Sequence, residues 1–309
     1  MTEKVFAGGD YKWPESIDFD RYGNLYFTDV VGNALYKFKR QKDGRLDRKS
    51  TRLLYGLKGA SGVSIDREND FLFVGARVGK KGRIIKIPLS WFKTHTDINY
   101  RLFLADPSSD PALRPEELEI RFTGKHPREA IPNGVVYHRQ SDTVFYTDEN
   151  IFGSLLGGRG FIGRTKEAAQ PEFQTPNGID IDPMTENVLV VSLLRKRSII
   201  RWDFQKGQEL SRTTVGRWLD GLICLENGDV LAAAFGARRI FHLKREADTF
   251  IDPCEIARLT GFPTDMAIGT SSDGEGESLF VTMLRGYTFF LGGGGIVEIP
   301  RIRELVHSK

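Results

Sequence analysis

The feature that most restricts the fold is a short segment that recurs six times along the chain. Each copy joins a polar residue to an apolar strand: Trp13-Pro14-Glu15-Ser16-Ile17, Gly59-Ala60-Ser61-Gly62-Val63, Ile131-Pro132-Asn133-Gly134-Val135, Thr175-Pro176-Asn177-Gly178-Ile179, Trp218-Leu219-Asp220-Gly221-Leu222 and Pro263-Thr264-Asp265-Met266-Ala267. At the polar position the copies carry Glu15, Ser61, Asn133, Asn177, Asp220 and Asp265. These residues follow one another at intervals of 46, 72, 44, 43 and 45. A repeat of about 40 to 50 residues is the length of a four-stranded propeller blade. The chain is therefore predicted to be all-β, a six-bladed β-propeller forming one domain over residues 1–309.

The remaining stretches are read within that frame. The last blade runs out of chain before its fourth strand, and the N-terminal strand at 4–7 is expected to supply it, closing the ring without a long exposed edge. Blade two is expected to take its outer strand from residues 100–104. The one long interval places an insertion at about 106–130, rich in Pro, Ser and charge, which is expected to arch over the mouth as a lid. The tail from residue 301 is read as a short solvated helix or a frayed end.

Composition supports strands and turns, with 33 Gly and 21 Phe in 309 residues. A net charge of +3 gives no footprint for nucleic acid. Cys224 and Cys254 form neither a disulfide framework nor a zinc pattern. There is no N-terminal apolar leader segment and no apolar run of about 18 residues. The expectation is a soluble cytoplasmic protein with a small-molecule substrate and neither nucleic-acid nor membrane partners.

In a propeller the first strand of each blade lines the central channel, so six residues far apart in sequence converge on one ring. All six offer a hard oxygen acceptor, and none offers sulfur or imidazole. Such a set suits calcium or magnesium. Asn-Gly and Asp-Gly are also common tight-turn dipeptides, and a turn is the competing reading of each copy. Three carboxylates on one ring would repel one another without a cation. Asp265 is open to three roles: supporting the ligands, acting as a base, or capping its strand.

The Pro14-Glu15-Ser16 opening, the two Pro-Asn-Gly segments, the Asp220-Gly221 pair and the second strand Leu25-Tyr26-Phe27-Thr28-Asp29 resemble a known family over nearly the whole chain. They are similar to the propellers of regucalcin and gluconolactonase (senescence marker protein), relatives of diisopropyl fluorophosphatase. The resemblance implies a divalent metal at the channel mouth, held by Glu15, Asn133, Asn177 and Asp220. Calcium is the first choice, with magnesium, manganese or zinc as alternatives. It also implies hydrolysis of a lactone or related cyclic ester, with the metal as Lewis acid and Asp220 as base or nucleophile. Asp265 is the second catalytic candidate. Where sugar-lactone enzymes of that family carry an arginine two residues before the third-blade asparagine, this chain has Ile131.

Loops rimming the mouth supply Arg77, Phe152, Arg285 and Tyr287 as candidate substrate contacts, which fits a hydrophobic body bearing an anion. None of the five histidines falls at a repeated position, and no Gly-x-Ser-x-Gly elbow is present. Two readings of other kinds stay open. One is a calcium-binding or interaction propeller without turnover, and the other is a metal-dependent isomerase or lyase.

Overall fold

The structure is a computed structural model of the chain. It describes residues 3–8, 11–78, 81–100, 115–119, 132–148, 160–165, 172–173, 175–285 and 293–307. These form six antiparallel sheets arranged as the blades of a β-propeller. Strand β1 is Lys4–Gly8. Blade 1 contains β2 (Pro14–Phe19), β3 (Leu25–Asp29), β4 (Ala34–Phe38) and β5 (Thr51–Tyr55), and blade 2 begins with β6 (Val63–Asp66), β7 (Phe71–Val78) and β8 (Lys81–Pro88). The short β9 (Ile98–Asn99) runs parallel to β5, and β10 (Glu116–Glu119) pairs antiparallel with β8. Blade 3 holds β11 (Pro132–His138), β12 (Thr143–Asp148), β13 (Gly160–Arg164) and β14 (Glu172–Phe173). Blade 4 holds β15 (Pro176–Ile181), β16 (Val188–Leu193), β17 (Ser198–Asp203) and β18 (Gln208–Thr214). Blade 5 holds β19 (Leu222–Cys224), β20 (Val230–Ala234), β21 (Arg239–Glu246) and β22 (Thr249–Arg258). Blade 6 holds β23 (Phe262–Thr270), β24 (Glu277–Leu284) and β25 (Gly294–Pro300), with helix α1 (Ile302–His307) following.

Each blade stacks face to face on its neighbours, so a second strand must be apolar on both sides. Strands β3, β16 and β20 are buried at every position. Ring closure is as expected. β1 pairs with β25 as the fourth strand of blade 6, and Phe6 inserts between blades 6 and 1 against Phe38 and Phe280, at 4.9 and 5.6 Å between ring centroids.

Two expectations are corrected. The outer strand of blade 2 is Glu116–Glu119, from inside the stretch read as an insertion, rather than 100–104. Tyr100 is instead buried beside Trp91 and Leu54. An edge strand needs only one covered face, so a sequence as charged as Glu116-Glu117-Leu118-Glu119 can serve. The rest of 106–130 lies outside the described residues. The C-terminal segment is a short helix as expected, but it is solvated on one face only: Arg303 and Glu304 are exposed, while Ile302 and Val306 are buried in the cluster formed by blades 5 and 6.

Candidate functional site

The backbone register explains why the repeated segments meet. In four blades the pairing of first and second strands breaks for two residues and then resumes. It runs from Pro14 to Ile17, from Pro132 to Val135, from Pro176 to Ile179 and from Pro263 to Met266. Such a bulge re-aims side chains that would otherwise alternate across the blade. The skipped pairs are Glu15-Ser16, Asn133-Gly134, Asn177-Gly178 and Thr264-Asp265. Register therefore places Thr264 level with Glu15, Asn133 and Asn177, and sets Asp265 one residue further along. The expected ring position of Asp265 is corrected on this ground.

The glycine after the polar residue has a packing role. A Cβ at Gly62, Gly134 or Gly178 would lie 2.4, 2.5 or 2.7 Å from the carbonyl oxygen of Asn133, Asn177 or Asp220 in the next blade. None of the three has positive φ. The competing reading of these dipeptides as tight turns therefore falls, because the glycine is required for close approach between neighbouring first strands. Blades 6 and 1 do otherwise, with Asp265 and Ser16 at that position. The Ser16 hydroxyl donates to Asp265 Oδ2 at 2.7 Å, and the same carboxylate accepts the Ile17 N–H at 3.4 Å.

In four blades a hydroxyl on the second strand locks the ring segment to the next, which the repeat alone did not reveal. Thr28 accepts the Ser16 N–H and donates to the Ser61 carbonyl. Thr147 accepts from Gly134 and donates to the Asn177 carbonyl, and Ser192 accepts from Gly178 and donates to the Asp220 carbonyl at 2.5 Å. Thr282 accepts from Asp265 and donates to the Glu15 carbonyl at 2.9 Å. Blades 2 and 5 carry Gly75 and Ala233 there and bond backbone to backbone instead. The signal lay in the near-identical Leu25-Tyr26-Phe27-Thr28-Asp29 and Val144-Phe145-Tyr146-Thr147-Asp148. Asp29 adds a second anchor, accepting the N–H groups of Lys12 and Trp13 at 2.9 Å each and so fixing the entry into β2.

Glu15, Asn133, Asn177, Asp220 and Asp265 all line one cavity of about 590 Å³ in the channel. Asn133 Nδ2 donates to Asn177 Oδ1 at 2.9 Å, and Glu15 Oε2 accepts the indole N–H of Trp13 at 2.7 Å. An amide oxygen is a hard donor of the kind calcium takes. Among the described residues no three His, Cys, Asp or Glu stand close enough to hold a metal. A metal at this mouth must therefore draw on the asparagine oxygens. Two carboxylates with two amide oxygens fit a hard divalent cation in charge and donor type.

Deeper in the channel lie Asp18, Asp180 and Asp265. Burial pushes the Asp265 carboxyl up to about 7 against the lowering effect of Ser16, and pushes Asp180 up to about 6 against the backbone N–H groups of Cys224 and Ile181. Burial also raises Asp18, which the Arg67 guanidinium at 2.9 Å partly offsets. The far end of the cavity is lined by Glu277, Ile302, Arg303 and Val306. Of the expected substrate contacts, Arg77 lies on β7 with its N–H on the Lys58 carbonyl, and Arg285 follows β24 with its guanidinium beside Gly8. Phe152 and Tyr287 lie outside the described residues.

No family model matches the chain. One curated protein, a mitochondrial pentatricopeptide repeat-containing protein of Arabidopsis thaliana, is 27% identical over 135 residues, covering 41% of this chain and 28% of its own length. The chain thus spans little more than a quarter of that relative. Solved structures are similar over almost the whole chain. A luciferin-regenerating enzyme has a TM-score of 0.66 at 15% identity, covering 96% of this chain and 95% of its own. The calcium-binding protein regucalcin of Agrobacterium tumefaciens has 0.63 at 14% identity, with 97% and 93% covered. A protein assigned as a gluconolactonase has 0.61 at 14% identity, with 96% and 92% covered. The fold is that of the regucalcin and gluconolactonase propellers. Identities this low establish the fold of this chain and leave its activity to the residues at its own mouth. Among the described residues no helix is long and apolar enough to cross a membrane.

Proposed function

We propose that this propeller binds a divalent cation, calcium foremost, at Glu15, Asn133, Asn177 and Asp220, and hydrolyses a lactone or related cyclic ester there. One observation carries the reading: four oxygen donors from four blades line one cavity at equivalent points of the repeat, three of them beside a glycine that lets neighbouring strands close up. A cation held there would polarise the ester carbonyl and stabilise the oxyanion that develops on it. Asp220 lines the cavity and its backbone is tied to Ser192, which supports the reading that its carboxylate accepts a proton from water or attacks the carbonyl carbon. The bond between Asn133 and Asn177 fixes how the two amides face each other before substrate arrives. Asp265 stands one step below as an alternative base, hydrogen-bonded to Ser16.

The test is a panel of lactones and aryl esters assayed with calcium, magnesium or manganese and again with chelator. Hydrolysis that chelator abolishes and metal restores is the expected result. Cation binding without turnover on any member would point to the calcium-binding scaffold, and chelator-resistant hydrolysis would remove the metal from the mechanism.

A further inference from the structure

The residue two positions ahead of each ring residue differs sharply around the propeller. In blades 5, 6 and 1, which are consecutive, it is Trp218, Phe262 and Trp13. In blades 2, 3 and 4 it is Gly59, Ile131 and Thr175. The repeat therefore places an arc of three large aromatics on adjacent blades, two residues ahead of Asp220, Thr264 and Glu15, with Trp218 widely exposed, Trp13 half-buried and Phe262 buried. Trp218 is 49% exposed, whereas Trp91 and Trp202 are buried. The Trp218 side chain lies close over Gly236, with ring carbons 3.6 and 3.7 Å from where a Cβ would stand, so its own blade supports one side of it. Beside it Phe235 packs on Phe262 at 5.2 Å between centroids, and the Arg238 guanidinium sits 4.4 Å above the Phe262 ring. Trp13 is tied to the site itself through its indole N–H on Glu15.

An exposed indole backed by its own fold, beside a buried Phe262 covered by Phe235 and Arg238 and two residues ahead of the cavity-lining Asp220, is a stacking surface for a planar ring. We infer that Trp218, the exposed end of the Trp218-Phe262-Trp13 arc, stacks on a flat, unsaturated ring of the substrate, so that the preferred ester is an aryl or aryl-fused lactone and not a polyhydroxylated one. This rests on the site proposed above for its chemistry, and on the arc alone for its binding. The polyol of a sugar lactone would need hydrogen-bond partners, whereas the arc offers ring faces and one guanidinium.

The experiment measures binding of coumarin, an aromatic lactone, and of D-gluconate by calorimetry with calcium present. It uses wild type, Trp218→Ala, Trp218→Phe and Tyr22→Ala, the last removing an exposed aromatic at a blade hairpin. Coumarin should bind wild type, weaken about 10-fold in Trp218→Ala and stay within about 3-fold in Trp218→Phe, in line with the usual worth of one stacked ring. Tyr22→Ala should match wild type, and gluconate affinity should not depend on Trp218. Absence of coumarin binding by wild type, equal binding by Trp218→Ala, or equal loss of gluconate would overturn the inference. Hydrolysis of dihydrocoumarin is followed in parallel. Trp218-dependent coumarin binding without any hydrolysis keeps the arc and removes the hydrolase reading, while hydrolysis unaltered in Trp218→Ala does the reverse.

Discussion

Asp265 is a residue whose charge the fold disfavours. Burial raises its carboxyl to about 7, so the folded protein binds that proton more tightly than the unfolded chain, in which an Asp titrates near about 3.9. The stability this group contributes is full below about pH 4 and is lost as pH rises toward 7. Metal-free protein should therefore melt at a lower temperature at pH 8 than at pH 5, and Asp265→Asn should flatten that fall, since an amide oxygen can still accept from Ser16. Melting curves in chelator across this range check it. An Asn variant with the wild-type slope would show that the charge at Asp265 is already compensated. The off-by-one placement of this residue has a plain cause. Thr264 and Asp265 are both polar, and only the bulge between Pro263 and Met266 reveals which of them shares the level of Glu15.

At the scale of strands, the second-strand hydroxyls hold the mouth together. Ser192→Ala should cost about 1 to 2 kcal/mol, the range for a buried hydrogen-bonding group lost. The lower end is favoured because Gly178 N–H retains the Asp220 carbonyl at 3.2 Å. The same change should weaken calcium binding, because Asp220 loses a tether, and denaturant melts paired with calcium titrations would show both effects. Lost stability with unaltered calcium affinity would make the hydroxyl a blade clasp alone. Much of this level was legible, since each repeat joins its polar residue to an apolar run that marks a first strand. Strand β10 was not, because its partner β8 dictates it and its own side chains do not. The short helix α1 was foreseen but its buried face was not, for the related reason that six residues are too few to show an apolar face, and part of what buries Ile302 and Val306 comes from blade 5, distant in sequence.

For the whole molecule, closure rests on the seam between blades 6 and 1. Phe6 joins β1 to Phe38 and Phe280 across that seam, so Phe6→Ala should cost about 3 to 5 kcal/mol. Denaturant melts would measure that cost, and a loss under about 1 kcal/mol would mean the ring closes without β1. The repeat interval disclosed the six blades and the equivalent places of Glu15, Asn133, Asn177 and Asp220 in them, because a period persists whatever each strand does locally, while the choice of these four as ligands came from the family resemblance. The tie between Asn133 and Asn177, the Ser16-Asp265 bond and the aromatic arc required the ring to be closed before they could be seen. The central claim is that oxygens from blades 1, 3, 4 and 5 hold one cation. It is tested most directly by calorimetric titration of calcium into chelator-treated wild type, Glu15→Gln, Asn177→Ala and Asp220→Asn, with turnover measured on the same samples. The account predicts one calcium per chain, affinity at least about 10-fold weaker in Glu15→Gln and Asn177→Ala, and in Asp220→Asn a smaller loss of affinity beside a fall in turnover of about 10² or more. Calcium that binds all four proteins alike, or none of them, would contradict it.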